Sequence, residues 1–289
     1  MKLINFVKNG KNSLGILTGR GVIDAAEYAA PGVPATMREA LALGREGAVL
    51  ALEPVVRRAD RFLDPQAVKY APVVDDPEKI LCVGKNYPDH VAEVPELFNR
   101  SGAAPVIFAK FRNTLVGHGG QVKLNPNSKK HDYEAEIAVV IGRRASNVSP
   151  DEALAYVFGY TLANDISARD LQKAASQWTP GKTCDTFCPL GPCILTSDEI
   201  SHDGMRVTGY MNGALRQSGS SSEMIYSIPF IVSFLSGCCT LEPGDVILTG
   251  TPSGVIMGRL EGEQDWLKAG DTLDVSVPEI GTLTVTVTE

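Results

Sequence analysis

Between residues 132 and 142 the chain reads DYEAEIAVVIG, and no other stretch limits the fold as tightly. Alternate residues of an extended chain point to the same side. A strand here would set Asp132, Glu134 and Glu136 on one face, with Tyr133, Ala135 and Ile137 on the other. The run then turns continuously apolar, as a strand covered on both sides does. Three carboxylates leading into a core repel one another and resist burial. Two readings are open: a solvated edge face, or a hard divalent cation, Mg2+ or Mn2+, ligated by carboxylate oxygens.

The rest of the chain predicts a β-rich core. Short strand candidates lie at LINFV, SLGILT and GVIDAA near the start, and later at KILCVG (79–84), PVIFAKF (105–111), GDVILTGT, DTLDVSV and TLTVTVT. RVTGYMNGALRQSG (206–219) carries the Asn-Gly signal of a tight hairpin. Helices are expected over 35–44, ended by Gly44, from Ser149-Pro150 into the following strand, over 168–176, and over the apolar 227–237. No βαβ repeat of about 30 residues appears, which argues against a doubly wound nucleotide fold. DPQAVKYAPVVDDPEK reads as a linker and places a domain boundary near residue 75.

Of 289 residues, 27 are Lys or Arg and 34 are Asp or Glu, a formal charge of −7. The first 75 residues carry +2 and the remainder −9. Such an acidic chain is a poor match for nucleic acid. No run reaches the length of a membrane span. The opening MKLINFVKNGKN holds no apolar stretch of a secretion signal, so a cytoplasmic location is expected, with all six cysteines reduced. Cys184, Cys188 and Cys193 lack the paired short spacing of a structural zinc site. Four histidines make a three-His metal site hard to build.

Several other residues carry chemistry. Asp165 ends the apolar run of TLANDISARD, either as a third cation ligand or as the N-cap of the next helix. Arg169 and Gln172 share one helical face, as groups for a carboxylate or dicarbonyl substrate or as surface polarity. In GKNYPDHVAE, His90 and Glu93 lie three apart, as a general-base pair or a plain surface pair. Lys182 sits in a Gly/Pro-bounded loop, where it could stabilise an oxyanion. GDVILTGTPSGV (244–255) lacks the lysine of a phosphate loop and the G-x-S-x-G of a serine hydrolase. Its backbone N–H groups and the Thr251 hydroxyl remain candidates for binding a carboxylate.

Taken in order, GKNYPDHVAE, DYEAEIAVVIG, NDISARDLQ, WTPGKTCDTFCPLGP and GDVILTGTPSGV resemble the fumarylacetoacetate hydrolase superfamily over about residues 78–289. The resemblance implies a β-rich α+β protein, a mixed β-sandwich roll with a small N-terminal α+β domain (1–75) before a catalytic domain (76–289), assembled as a homodimer. It implies Mg2+ or Mn2+ on Glu134, Glu136 and Asp165, with Asp132 outside the ligand set. It assigns water activation to His90 and Glu93, and substrate and oxyanion contacts to Arg169, Gln172, Lys182 and Thr251. Residues 86–104 would close as a lid. The expected reaction is hydrolytic cleavage of a carbon–carbon bond in a 2,4-dioxo acid, an acylpyruvate or a dioxo-deoxy sugar acid, through an enolate. Decarboxylation of an oxaloacetate-like acid and isomerisation of a hydroxymuconate-like acid are alternatives on the same site. A non-catalytic oxo-acid-binding protein is an alternative of another class. Three positions depart from the family pattern: Cys184 stands where Ser is common, Ile256 where Gly is frequent, and 93–105 lacks a frequent Met-Gly.

Overall fold

The computed structural model describes residues 1–94 and 104–289. Residues 95–103 of the expected lid therefore lie outside the described residues. The strand Ala135–Ile141 is buried along its whole length, and strand alternation explains how. Ile137, Val139 and Ile141 point into one apolar cluster, while Ala138 and Val140 point into another. A strand lying between two cores has no polar face to show.

That strand is central in a mixed sheet. Val157–Asn164 pairs with it antiparallel on one side and Val246–Leu248 on the other. Beyond Val157–Asn164 come Cys188–Thr196 and then Lys2–Lys8, which joins the start of the chain to the same sheet. Lys11–Thr18 and Gly21–Asp24 continue it. On the opposite flank Ile80–Gly84 runs parallel to Val246–Leu248 and pairs antiparallel with Val106–Lys110. A second sheet runs Ala214–Ser220, Arg206–Met211, Thr272–Val277, Gly281–Thr288 and Gln121–Lys123. Its Val207, Val275, Val277 and Leu283 pack on the Ile137 face of the first sheet. Met37, Ala40, Leu52 and Val55 cover the Ala138 face. The β-rich roll expected from the motifs is the observed architecture.

Local differences from the sequence reading have physical causes. The run 132–142 is not one strand: Asp132 pairs with Ser167 in a separate two-stranded ribbon, and the main strand begins at Ala135. The helix expected after Ser149-Pro150 is a 3-10 turn, Ala153–Tyr156, before the strand at Val157. The strand that begins at Val157 leaves room for only one short turn. A capping box between Thr36 and Glu39 starts the Met37–Ala42 helix, but a second helix, Gly44–Arg58, follows at once. Its buried Ala48, Leu52 and Val55 are spaced four and three apart, an amphipathic signal that Gly44 obscured. The helix expected over 168–176 is Arg169–Lys173, and the apolar helix is Ile228–Cys238. Asn212 and Gly213 both have positive φ, as a tight hairpin turn requires. All six cysteines are free thiols. No helix among the described residues is long and apolar enough to cross a membrane.

Candidate active site

Topology brings the reactive segments to one end of the main sheet. Leu248 pairs with both Ala138 and Cys82. The residues after Gly84, those after Leu248 and the start of the Ala135–Ile141 strand therefore meet. Asn164 pairs with Ala135, which delivers Asp165 to the same place. The Asp165 N–H donates to Glu134 O at 2.8 Å, and the Asn164 side chain accepts from Glu134 N–H at 2.9 Å. Asp165 does not cap the following helix, whose N-cap is Ala168. Asn86 locks the loops: its amide donates to Tyr226 O and Thr249 O and accepts from Tyr226 N–H.

Glu134, Glu136 and Asp165 are buried, and one oxygen from each lies within 4.8 Å of the others. Two oxygens on opposite sides of a Mg2+-sized ion would be about 4.2 Å apart. Three buried carboxylates form a hard, all-oxygen donor set. Asp165 Oδ1 accepts no hydrogen bond of good geometry, although Lys110 Nζ lies 2.7 Å away. That ammonium directs its protons to the carbonyls of Ile166, Lys182 and Phe187 instead. These residues fit a divalent cation.

The electrostatics point the same way. Four buried carboxylates (Asp132, Glu134, Glu136, Asp165) face three buried cations (Lys110, Arg169, Lys182) among the described residues. Lys182 Nζ donates to Glu134 at 2.6 Å and Asp165 at 2.8 Å. Arg169 donates to Asp132 at 2.9 Å, Glu134 at 2.7 Å and the Gln172 carbonyl at 3.1 Å. Burial alone would raise the Glu134 carboxyl, but the charges of Arg169, Lys182 and His90 outweigh it and hold it below the usual range. For Glu136 the balance is reversed. Burial first, then the charges of Asp165 and Glu134, push its carboxyl well above the usual range, and the Gly250 N–H at 2.7 Å and the charge of Lys182 oppose them only in part. A divalent cation would offset the repulsion among the three clustered acids.

His90 and Glu93 lie on the helix Pro88–Glu93, with His90 Nδ1 2.7 Å from Glu93 Oε1. The other Glu93 oxygen accepts from Gly254 N–H at 2.8 Å. His90, Lys85, Phe108, Arg169, Gln172, Trp178, Lys182, Thr251 and Met257 line a cavity of about 20 Å³ with the three acids, just larger than the volume one water needs. The loop 250–257 does bind carboxylates, but they are the protein's own. Gly250 N–H takes Glu136, Gly254 N–H takes Glu93, and the N–H groups of Ile256 and Met257 take Asp132. Asp132 is thus held by backbone and Arg169, apart from the acidic cluster. Lys110, Asn86, Asn164 and Gln217 escaped sequence reasoning. Lys110 alone left a trace, as a charge ending the apolar VIFAK strand.

One consequence can be measured directly. A Cβ built on Gly258 would lie 2.6 Å from Glu93 Oε2. Gly258→Ala is expected to shift Glu93, loosen His90 and lower kcat by about tenfold to a hundredfold, while Mn2+ affinity stays within twofold. Parallel kinetics and Mn2+ titration check this.

A mixed β-roll with a buried acidic cluster and a His–Glu pair at one sheet end defines an enzyme class of the fumarylacetoacetate hydrolase type. The family model described as fumarylacetoacetate (FAA) hydrolase C-terminal matches residues 79–288, and the chain belongs to that family. It is 43% identical over 222 residues to oxaloacetate tautomerase YisK of Bacillus subtilis, covering 74% of this chain and 71% of that protein. It is 36% identical over 294 residues to the mitochondrial oxaloacetate tautomerase fahd2 of Xenopus laevis, covering 98% and 89%. The crystal structure of 2-hydroxyhepta-2,4-diene-1,7-dioate isomerase from Mycobacterium marinum superposes with a TM-score of 0.76 at 32% identity, covering 100% of this chain and 98% of that one.

Proposed function

We propose that this enzyme interconverts the enol and keto forms of a small 2-oxo dicarboxylic acid of the oxaloacetate type. The reading prefers the proton-handling alternatives to the carbon–carbon hydrolysis expected from the motifs. The observation that carries it is the His90–Glu93 pair beside the acidic cluster, in a chain similar to relatives named as oxaloacetate tautomerases.

Glu134, Glu136 and Asp165 would hold Mg2+ or Mn2+, which polarises the 2-oxo group when bound. Glu93 holds His90 Nδ1, so Nε2 is the atom that takes a proton from C3 of the keto form or returns it to the enol. Lys182 donates to the oxygen that gains charge as the C–H bond breaks. Gln172 Oε1 is taken by Arg169, which leaves the amide NH2 to hold a substrate carboxylate. Breaking C3–H and forming O–H balances without a co-reactant.

The test follows freshly dissolved enol-oxaloacetate by its ultraviolet absorbance, with CO2 measured alongside, and an acylpyruvate assayed separately. Enzyme with Mg2+ is expected to speed loss of the enol without CO2 release. Cleavage of the acylpyruvate into two acids, with no effect on the enol, would overturn the proposal in favour of hydrolysis.

A further inference from the structure

Thr251 forms part of the cavity wall beside Glu134, Glu136 and Asp165. What its hydroxyl can offer a ligand is decided by Gln217, a buried residue on the Ala214–Ser220 strand of the second sheet. The Gln217 amide sits between two backbone groups that each permit one role. Ala135 N–H can only donate, and it donates to Gln217 Oε1 at 2.9 Å. Pro252 C=O can only accept, and it accepts from Gln217 Nε2 at 2.7 Å. The two ends of the amide are thereby distinguished, and a flipped amide would face a donor with a donor and an acceptor with an acceptor.

With that orientation, the second Nε2 proton goes to Thr251 Oγ1, 2.8 Å away. Thr251 Oγ1 is also 2.9 Å from Ala135 O. That carbonyl can only accept, so it takes the one hydroxyl proton. A hydroxyl has one proton and two lone pairs. The proton and one lone pair are committed, and a single lone pair is left. Ala135 stands between Glu134 and Glu136, so the same amide that orients Thr251 also braces the strand carrying two of the three acids.

We propose that Gln217 presets Thr251 as a hydrogen-bond acceptor, so that the ligand group lying against Thr251 Oγ1 carries an O–H. The hydroxyl of an enol or of a 2-hydroxy acid meets this condition, and an ionised carboxylate oxygen does not. Thr251 thereby reads the protonation of the ligand oxygen, and Gln217 is a positioning residue acting through it. The inference rests on the oxo-acid reading for its choice of probes.

Two probes of one size separate the possibilities in the Mn2+-loaded protein. Oxalate carries no proton at neutral pH, and glycolate replaces one of its carboxylates by a hydroxyl-bearing carbon. Thr251→Val is expected to weaken glycolate by about tenfold, the worth of one hydrogen bond to a buried acceptor, and to change oxalate by less than twofold. Thr251→Ser is expected to restore glycolate binding. Gln217→Met, which removes the donor that holds Thr251 Oγ1 in its rotamer against the Ala135 carbonyl, is expected to lower the preference for glycolate over oxalate. An equal or larger loss of oxalate affinity in Thr251→Val would overturn the proposal, because the hydroxyl would then be a donor. So would unchanged affinity for both probes. Failure of the tautomerase reading shows elsewhere, as no acceleration of enol loss by the wild type, and leaves the glycolate-to-oxalate ratio unaltered.

Discussion

Glu136→Gln is expected to lower turnover by about a thousandfold, the effect of losing several kcal/mol of charge stabilisation by a bound cation, and yet to raise the thermal stability of the metal-free protein. Glu136 is buried beside Asp165 and Glu134, which disfavour its charged form, and the Gly250 N–H and the charge of Lys182 compensate only in part. An amide keeps that hydrogen bond through its carbonyl oxygen and removes the repulsion. Each kcal/mol gained would raise the melting temperature by about 2–4 °C. Glu134→Gln should instead destabilise the metal-free protein. Its carboxylate joins Arg169 and Lys182, and removing one member of such a buried set costs about 3–5 kcal/mol. Both variants should lose the stabilisation that Mg2+ or Mn2+ gives the wild type. Melting curves with and without metal, beside enol-decay kinetics, check all three statements. If Glu136→Gln retained the metal-induced shift, the acidic cluster would not be the cation site. The contrast follows from partners alone: two carboxylates two residues apart, one neutralised by the protein and one left for an ion.

The acids were legible in the sequence because strand alternation and the switch to an apolar run are local. Asp165 was harder. As a residue after a strand it reads equally well as a helix cap, and only the Ala135–Asn164 register removes that ambiguity. The His90–Glu93 pair is also local, being one helical turn. What fixes Glu93 is not, since Gly254 N–H arrives from 161 residues away. Lys110 and Gln217 lie at the non-local extreme. Each ties segments far apart in the chain through backbone carbonyls and N–H groups, which have no sequence signature. The Gly44–Arg58 helix was missed for the opposite reason, because a local stop signal at Gly44 masked a good amphipathic pattern beyond it. Asp132 shows the limit of periodicity: it keeps the spacing of Glu134 and Glu136 yet belongs to another ribbon.

His90→Gln is expected to separate proton transfer from cation binding. General acid–base catalysis contributes about a hundredfold to ten-thousandfold, so kcat for enol loss should fall within that range. His90 is not one of the three clustered acids, so Mn2+ affinity should stay within twofold. Run in D2O, the wild type should incorporate deuterium at C3 of oxaloacetate faster than the uncatalysed rate, and the variant should not. Glu93→Gln should give a smaller loss. The amide still reaches Gly254 N–H through its oxygen, and the imidazole stays in place but loses the negative charge that sets which nitrogen carries its proton. A Glu93→Gln loss as large as that of His90→Gln would instead make the carboxylate the base and the imidazole its support. Normal deuterium incorporation by His90→Gln would remove the imidazole from the reaction altogether. The expected order of effects, His90 above Glu93 with metal binding intact in both, distinguishes a proton carrier held by an orienting acid from a site that works by the cation alone.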